Sequence, residues 1–198
     1  MTQNKRTQII KAAIEVFARK GLERGKIADV AKEAGIGKGT VYEYFRSKEE
    51  IFSAIEDSVM GEMMLQIDEL LGLSISPAEK LTKLMNEGFD TVLEMGDAVL
   101  ILTELWAHGA RGHWHDEGQA TLARMYEDFR GKIKMILQAG EERGEFRKMN
   151  KDGVATLLLA FMDGLAWQYM VLKDHAMFQK AKKEAVESFM RGIQYKEI

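Results

Sequence analysis

Residues 27–48 read IADVAKEAGIGKGTVYEYFRSK and contain two short helical patterns joined by a glycine. Apolar residues recur at the spacing of one helix face from Ile27 to Ala34, and Gly35 follows where a left-handed residue commonly ends a helix. A second apolar stripe runs from Val41 to Phe45, and a longer one precedes both, from Ile10 to Phe17. Two short helices joined by a tight turn, after a supporting helix, predict a helix-turn-helix.

The third helix of such a motif enters the major groove of DNA with its N-terminal residues leading. Gly37 and Gly39 carry no side chain, so the backbone can approach the DNA closely. Lys38 and Tyr42 can reach base edges. Hydroxyl groups on the same helix can hydrogen-bond to phosphate. Lysines at the starts of the second and fourth helices can also contact phosphate, because free backbone N–H groups at a helix start favour an anion. The predicted DNA-binding residues are Lys26, Gly37, Lys38, Gly39, Thr40, Tyr42, Tyr44 and Lys48.

Charge is divided unevenly along the chain. The formal net charge is -3, yet residues 1–48 carry 11 Lys or Arg and 5 Asp or Glu, a net of +6. Residues 49–198 carry 17 and 26, a net of -9. A small basic segment before a larger acidic one favours contact with an anion such as DNA. A solvated basic face without a partner fits the same charges, so charge alone leaves both interpretations open.

The rest of the chain also has helical periodicity, which predicts an all-α protein of about nine helices. Ser47 and Glu50 form a capping box that begins a long helix ending near Leu71. Ser76 and Glu79 form a second capping box, with the single proline at the first helical position, for a helix that ends near Met95. Four more helices are predicted, with a loop over residues 108–116, and they cover about 97–106, 117–143, 150–172 and 176–194.

Composition excludes several classes of protein. With 46% hydrophobic and 30% charged residues, the 198-residue chain has the make-up of a globular protein rather than a disordered one. It has no cysteine, which excludes disulfide frameworks and cysteine nucleophiles and fits a reducing cytoplasm. The longest apolar stretch, residues 154–162, is interrupted by Asp163 and is shorter than the ~20 residues that span a bilayer. We therefore expect a cytoplasmic protein that does not contact a membrane.

The spaced residues of the 27–48 segment resemble the helix-turn-helix of the TetR family of bacterial transcriptional regulators. The upstream helix fits the same pattern through Ala12, Ala13, Phe17 and Gly21. The resemblance covers about the first quarter of the chain. It implies base contacts from the face between Lys38 and Tyr42, and phosphate contacts from Thr40, Tyr44 and Lys48.

The resemblance also implies a division of the chain and reveals two departures from the family pattern. The expected parts are a DNA-binding domain, residues 1–48, and a ligand-binding and dimerisation body, residues 49–198. The family usually has Thr or Ser near Gly25 and Lys26, where the second helix begins, and Ser at Gly37, before the third helix. Glycine is a weaker N-cap than serine, so the two helix starts are expected to be less well fixed.

By the same resemblance, the protein is expected to be a homodimer that reads a palindromic operator with two helix-turn-helix motifs, about one DNA turn apart. The last two helices would form the dimer. Short motifs near Trp106, Phe146 and Asp163 are similar to a common C-terminal subtype of the family. The predicted interface combines small residues, which allow close helix approach, with apolar ones that form a seam: Leu157, Ala160, Phe161, Gly164 and Leu165.

The body is expected to bind a small, lipophilic effector such as an acyl chain or an aromatic or cationic drug. The chain has 13 methionines, and methionine adapts to irregular ligands. Glu104, near Trp106, is a candidate contact for a cation. Ordinary core packing is the alternative for each candidate. The effector-binding candidates are the Met, Ile and aromatic residues of the middle helices: Met64, Ile67, Phe89, Trp106, Met125, Phe129, Phe161 and Trp167.

The sequence thus predicts a ligand-responsive repressor, released from DNA by its effector, that is not an enzyme and has no cofactor. One alternative is an architectural DNA-binding protein without an effector. A second is a metal-dependent enzyme that uses the segment from His108 to Asp116, which also contains His113 and His115. That segment lacks the fixed spacing of a zinc site, and no nucleophile-elbow motif accompanies it.

Overall fold

The computed structural model describes residues 2–95, 98–110 and 116–195. These residues form nine helices and no strand beyond a single bridge between Phe146 and Gln194, which confirms the all-α prediction. The helices are α1 (Thr2–Arg24), α2 (Ile27–Glu33), α3 (Lys38–Tyr44), α4 (Lys48–Gly72), α5 (Pro77–Met95), α6 (Ala98–Ala110), α7 (Asp116–Glu142), α8 (Lys151–Leu172) and α9 (His175–Ile193).

Most helix ends have the predicted chemistry. Gly35 has φ 63°, the left-handed conformation expected after α2. At the start of α5, Ser76 Oγ accepts from the Glu79 amide at 3.2 Å, and the Glu79 carboxylate accepts from the Ser76 amide at 2.8 Å. At the start of α4, Ser47 Oγ likewise accepts from the Glu50 amide at 3.2 Å, but the Glu50 carboxylate reaches the amide of Arg46, one residue earlier.

Gly21 divides α1, and one predicted end is wrong. Regular helical geometry stops at Gly21, with φ 76° and ψ 162°, and one more turn follows to Arg24. The predicted loop over 108–116 begins too early, because α6 continues to Ala110. Residues 111–115, with His113 and His115, lie outside the described residues.

The chain divides into two compact units, whereas the boundary at residue 48 stays a prediction about function. The first contains α1, α2, α3, α4 up to Met63, α6, and α7 up to Ala123. Its core has apolar residues of the helix-turn-helix, of α4 and of α6, including Phe17, Val41, Phe52 and Ile101. The second unit contains α4 from Met64, α5, α7 from Arg124, α8 and α9, around a core that includes Leu81, Phe89, Leu137, Leu158 and Phe178.

The connection between α7 and α8 fixes several helix ends in the second unit. The Glu145 carboxylate accepts from the Ala78 amide at 2.9 Å, in the first turn of α5. Arg147 Nε donates to the carbonyl of Gly192 at 2.8 Å, near the end of α9. The ring of Phe146 lies so close to Gly140 that a Cβ there would be 2.1 Å from it. The short motif around Phe146 therefore has a packing role.

Helix α8 is long and apolar enough, by length and composition, to cross a membrane, and it alone meets that criterion among the described residues. The length of the interrupted apolar stretch does not predict this, because Asp163 is the only charged residue between Gly153 and Leu172. One such helix is weak evidence for a membrane segment. One face of α8 packs into the core of the second unit through Ala155, Leu158 and Leu165.

Candidate DNA-binding surface and effector region

Helix α3 presents its predicted base-reading residues to solvent. Gly37 is its N-cap, with extended φ -69° and ψ 147° and no side-chain cap. Val41 and Phe45 are buried, which fixes the rotation of the helix and turns Lys38, Gly39 and Tyr42 outward. Tyr42 is 45% exposed although it is a large aromatic residue. An exposed face of this composition at the start of a helix suits insertion into a major groove.

The two predicted base-reading side chains are neighbours. Lys38 Nζ lies 5.7 Å from the centroid of the Tyr42 ring, within the range of a cation–π contact. The two residues are one helical turn apart, so the ammonium and the phenol are presented together on one face. A substitution of Tyr42 therefore also removes a support for Lys38.

Lys48 is held within the first unit by contacts that its predicted phosphate role does not require. Its Nζ donates to the carbonyl of Glu23 at 3.1 Å and lies 5.5 Å from the ring centroids of both Phe17 and Phe52. Burial lowers the pKa of the Lys48 ammonium, although acidic neighbours including Glu104 oppose that shift. Lys48 therefore joins the end of α1 to the start of α4 in addition to any contact with DNA.

The start of α2 carries a carboxylate that is not among the predicted site residues. Asp29 accepts from the Lys26 amide at 3.1 Å and pairs with Lys20 Nζ at 2.7 Å. The Lys20 hydrogen bond, followed by that of the Lys26 amide, holds the pKa of Asp29 below its usual value. The Lys26 side chain is exposed. A phosphate at this helix start would therefore meet the Lys26 ammonium together with a carboxylate.

Gly25 has a packing reason to be glycine. A Cβ built on Gly25 would lie 2.5 Å from Cδ1 and 2.8 Å from Cε1 of Phe17, far closer than real Cβ contacts. Phe17 is buried, and its ring centroid is 4.8 Å from that of Phe52. The departure from Thr or Ser near this position thus accompanies a close approach between the Gly25 backbone and the Phe17 ring.

The eight effector-binding candidates are divided between the two units and differ in exposure. Trp106 belongs to the first unit and the other seven to the second. Phe89, Met125 and Phe129 are buried, whereas Met64 and Ile67 are half-buried. Phe161 and Trp167 are 42% and 52% exposed on α8. Glu104, the candidate contact for a cation, instead accepts a hydrogen bond from the Leu22 amide at 3.1 Å.

An exposed apolar face on α8 carries four of the five predicted dimer residues. Leu157 is 60% exposed, and Ala160, Phe161 and Gly164 are also exposed. Leu165 is the exception, because it is only 9% exposed and lies in the core of its own unit. Helical spacing alone could not separate the two apolar faces of α8, and Leu165 is on the inner one.

A polar pair in the second unit is absent from the predicted sites. Tyr126 on α7 donates its hydroxyl to the Asp163 carboxylate on α8 at 2.9 Å. Partial burial raises the pKa of Asp163, although the residue as a whole is exposed, while this hydrogen bond opposes the shift. In the sequence Asp163 interrupts an apolar stretch and belongs to a short motif of the family resemblance, but its partner 37 residues away leaves no local signal. No group of three potential metal ligands occurs among the residues for which the structure gives positions.

The helix-turn-helix with its exposed α3 face defines a DNA-binding protein, and comparison with known proteins gives the family. Residues 9–55 match the model for bacterial regulatory proteins of the tetR family, and residues 77–193 match that for the C-terminal part of BetI-type transcriptional repressors. The chain therefore belongs to the TetR family of DNA-binding transcriptional regulators, and its C-terminal part is of the BetI repressor type.

Individual relatives agree with this assignment. The uncharacterized HTH-type transcriptional regulator YfiR of Bacillus subtilis is 29% identical over 196 residues, which cover 96% of this chain and 91% of YfiR. The regulator FadR from Bacillus subtilis, solved with stearoyl-CoA, shares the fold with a TM-score of 0.78 at 22% identity, over 95% of this chain and 99% of FadR. A transcriptional regulator from Saccharomonospora viridis, solved with choline, has a TM-score of 0.85 at 22% identity, over 98% of this chain and all of that one.

Proposed function

We propose that the protein is a cytoplasmic homodimer that represses transcription from a palindromic operator and that a lipophilic acyl effector releases it, without catalysing a reaction. The observation that carries the dimer is the exposed apolar face of α8. Leu157 and Phe161 are 60% and 42% exposed, so each contributes about 0.5–2 kcal/mol when a second copy buries the rest of its surface. Ala160 and Gly164, on the same face, have small side chains and permit close approach of a partner helix.

The dimer is tested by light scattering at micromolar concentration. The Leu157→Glu variant places a carboxylate in the proposed interface and is expected to be monomeric, because a buried unpaired charge is strongly unfavourable. Leu65→Glu is the matched control, since Leu65 is 64% exposed on α4 and lies outside the α8 face. We expect this control to stay dimeric. A dimeric Leu157→Glu variant would place the interface elsewhere.

The proposed DNA contacts come from α3 and from the lysines around it. Lys38 and Tyr42 read base edges, the hydroxyls of Thr40 and Tyr44 contact phosphate, and Gly37 and Gly39 allow close approach of the backbone. Lys26 and Lys48 complete the set as cations at the starts of α2 and α4. The exposure of Lys38, Gly39 and Tyr42 on one face of α3 supports this assignment.

The proposed effector is an acyl chain, because the candidate residues in the second unit are all apolar and include two methionines, which adapt to irregular ligands. FadR, solved with stearoyl-CoA, shares the fold and supports this choice. Stearoyl-CoA is expected to weaken operator binding about 5- to 150-fold, the usual range of allosteric coupling. Choline, the ligand of the other structural relative, is the control and is expected to leave binding unchanged. Release by choline alone would contradict the acyl proposal.

The proposed route of release runs through α4, which extends from Lys48 to Gly72 without interruption. An effector that displaces this helix changes the separation of the two helix-turn-helix motifs, which then no longer fit adjacent major grooves. Because coupling is reciprocal, operator DNA must weaken stearoyl-CoA binding by the same factor. Titration of stearoyl-CoA with and without operator DNA measures this directly, and equal affinities would contradict the mechanism.

A further inference from the structure

The break in α1 leaves a backbone amide that needs an acceptor outside the helix. Gly21 has φ 76° and ψ 162°, so the regular hydrogen-bond pattern of α1 is interrupted before Leu22. Leu22 itself is buried, and a buried amide without a partner is unfavourable. The group that accepts from the Leu22 amide therefore helps to hold the final turn of α1, residues 22–24.

Glu104 on α6 supplies it. Its Oε2 accepts from the Leu22 amide at 3.1 Å, and its Oε1 lies 3.9 Å from the Cβ position of Gly21. A backbone N–H bonded to an ionised carboxylate makes a stronger hydrogen bond than a neutral pair does. Residue 104 lies within the segment that matches the C-terminal repressor model, residues 77–193, yet α6 belongs to the same compact unit as the helix-turn-helix.

The same turn of α1 also holds Lys48. The carbonyl of Glu23, next to Leu22, accepts from Lys48 Nζ at 3.1 Å. Glu104 of α6 accepts from the Leu22 amide, and Lys48 of α4 donates to the Glu23 carbonyl. Side chains from two different helices therefore bind adjacent residues of α1. A shift of the Leu22–Glu23 segment would move the acceptor of a lysine that the family resemblance assigns to phosphate.

We propose that Glu104 is a positioning residue for DNA binding. Its carboxylate fixes the last turn of α1 and, through the Glu23 carbonyl, the ammonium of Lys48, so that α6 helps to keep the helix-turn-helix in its DNA-binding arrangement. Glu104 does not itself contact DNA. This inference requires the DNA-binding function of the family but neither the proposed effector nor the proposed dimer interface.

The test compares Glu104→Ala with Glu104→Gln, whose amide oxygen can still accept from Leu22. The probe is the duplex that the wild-type protein selects from a random pool. The expected loss of affinity for Glu104→Ala is about 3- to 30-fold, the range for coupling residues that touch no ligand. Glu104→Gln is expected to stay within about 3-fold of wild type. Glu87→Ala, which removes an exposed carboxylate paired with Lys83 on α5, is the control and should bind as wild type does.

Two further readouts separate positioning from other roles. Hydrogen exchange of the Leu22 amide is expected to accelerate in Glu104→Ala but not in Glu104→Gln. The slope of log affinity against log salt is expected to fall by less than the ~0.9 that one lost phosphate contact would remove, because the Lys48 ammonium is displaced rather than deleted. A carboxylate that merely repelled DNA would behave in the opposite way: Glu104→Ala would then bind every duplex more tightly, and the proposal would be wrong.

The proposal would also be wrong if Glu104→Ala binds the operator within 2-fold of wild type while its Leu22 amide exchanges faster. Glu104 would then have a purely local role. If Glu104→Ala does not fold, Glu104→Asp replaces it. Its carboxylate is one methylene shorter and should lose affinity where Glu104→Gln does not, and equal affinity for the two would contradict positioning. Failure of the wild-type protein to select any duplex would instead count against the DNA-binding function itself.

Discussion

Replacing Gly25 with serine is expected to destabilise the first unit, although the family resemblance would suggest a serine or threonine near this position. The added Cβ would lie 2.5 Å from Cδ1 of the Phe17 ring. That ring cannot simply move away, because Phe17 is buried with Phe52 at a 4.8 Å centroid distance and the Lys48 ammonium at 5.5 Å. Overpacking of this kind costs about 1–3 kcal/mol of unfolding free energy.

The same substitution at Gly37 is the matched control. A Cβ there would meet only Thr40 Oγ1, at 3.9 Å, and the extended φ of -69° suits serine as the N-cap of α3. A serine cap gains a few tenths of a kcal/mol over glycine, and replacing a flexible glycine also lowers the entropy of the unfolded chain. We expect Gly37→Ser to be more stable than wild type by about 0.5 kcal/mol.

Denaturant unfolding followed by circular dichroism measures both variants. The expected order of stability is Gly37→Ser, wild type and then Gly25→Ser, with the last two separated by about 1–3 kcal/mol. Gly25→Ser as stable as wild type would refute the close packing of Gly25 on Phe17. Equal destabilisation by both variants would show instead that serine is unfavourable at either helix start for a reason other than this contact.

Two further predictions concern single charges. Lys48→Met retains an apolar side chain between Phe17 and Phe52 but removes the ammonium. The variant is expected to bind cognate and scrambled DNA more weakly by a similar factor, and the salt slope should fall by about 0.9 for each phosphate that Lys48 neutralises. An unchanged slope would mean that Lys48 acts only within the protein. Partial burial raises the pKa of the Asp163 carboxyl in the folded protein, so folding favours its protonated form. The unfolding free energy of the wild-type protein should therefore fall as pH rises from the ordinary pKa of 3.8 through the raised value. The side chain of Asp163→Asn cannot ionise but can still accept the Tyr126 hydrogen bond. Unfolding measured at about pH 3.5 and pH 7 should show that the variant gains stability relative to wild type as pH rises. A stability difference that does not depend on pH would contradict the desolvation of Asp163.

Local chemistry explains why much of the fold could be predicted from the sequence. The caps at Ser76 and Asn150 and the left-handed Gly35 involve residues at most a few positions apart, so their signals are visible in a short stretch of sequence. The same holds for the outward face of α3, since buried Val41 and Phe45 determine its rotation. The predicted boundary at residue 48 lies between a DNA-binding part and a ligand-binding part. It stays a prediction, because the two compact units are not defined by function.

What the sequence could not predict depends on contacts between distant residues. The bond from Leu22 to Glu104 joins residues 82 positions apart, and that between Tyr126 and Asp163 spans 37. Trp106 does not share a unit with the other effector candidates, because apolar character does not indicate which core a side chain joins. For a similar reason, the sequence could not predict that Leu165 is buried whereas the other four interface candidates are exposed, since α8 is apolar on both its inner and outer faces.

The most direct test of the central claim is a titration of the wild-type protein and the Tyr42→Ala variant with selected and scrambled duplexes at about 150 mM salt, where nonspecific phosphate binding is weak. We expect the wild-type protein to prefer the selected duplex by about 1000-fold or more. Tyr42→Ala should lose most of that preference while it keeps its affinity for scrambled DNA, because Tyr42 and the Lys38 that it supports contact bases. If Tyr42→Ala discriminates between the two duplexes as well as wild type does, the exposed face of α3 is not the surface that reads DNA.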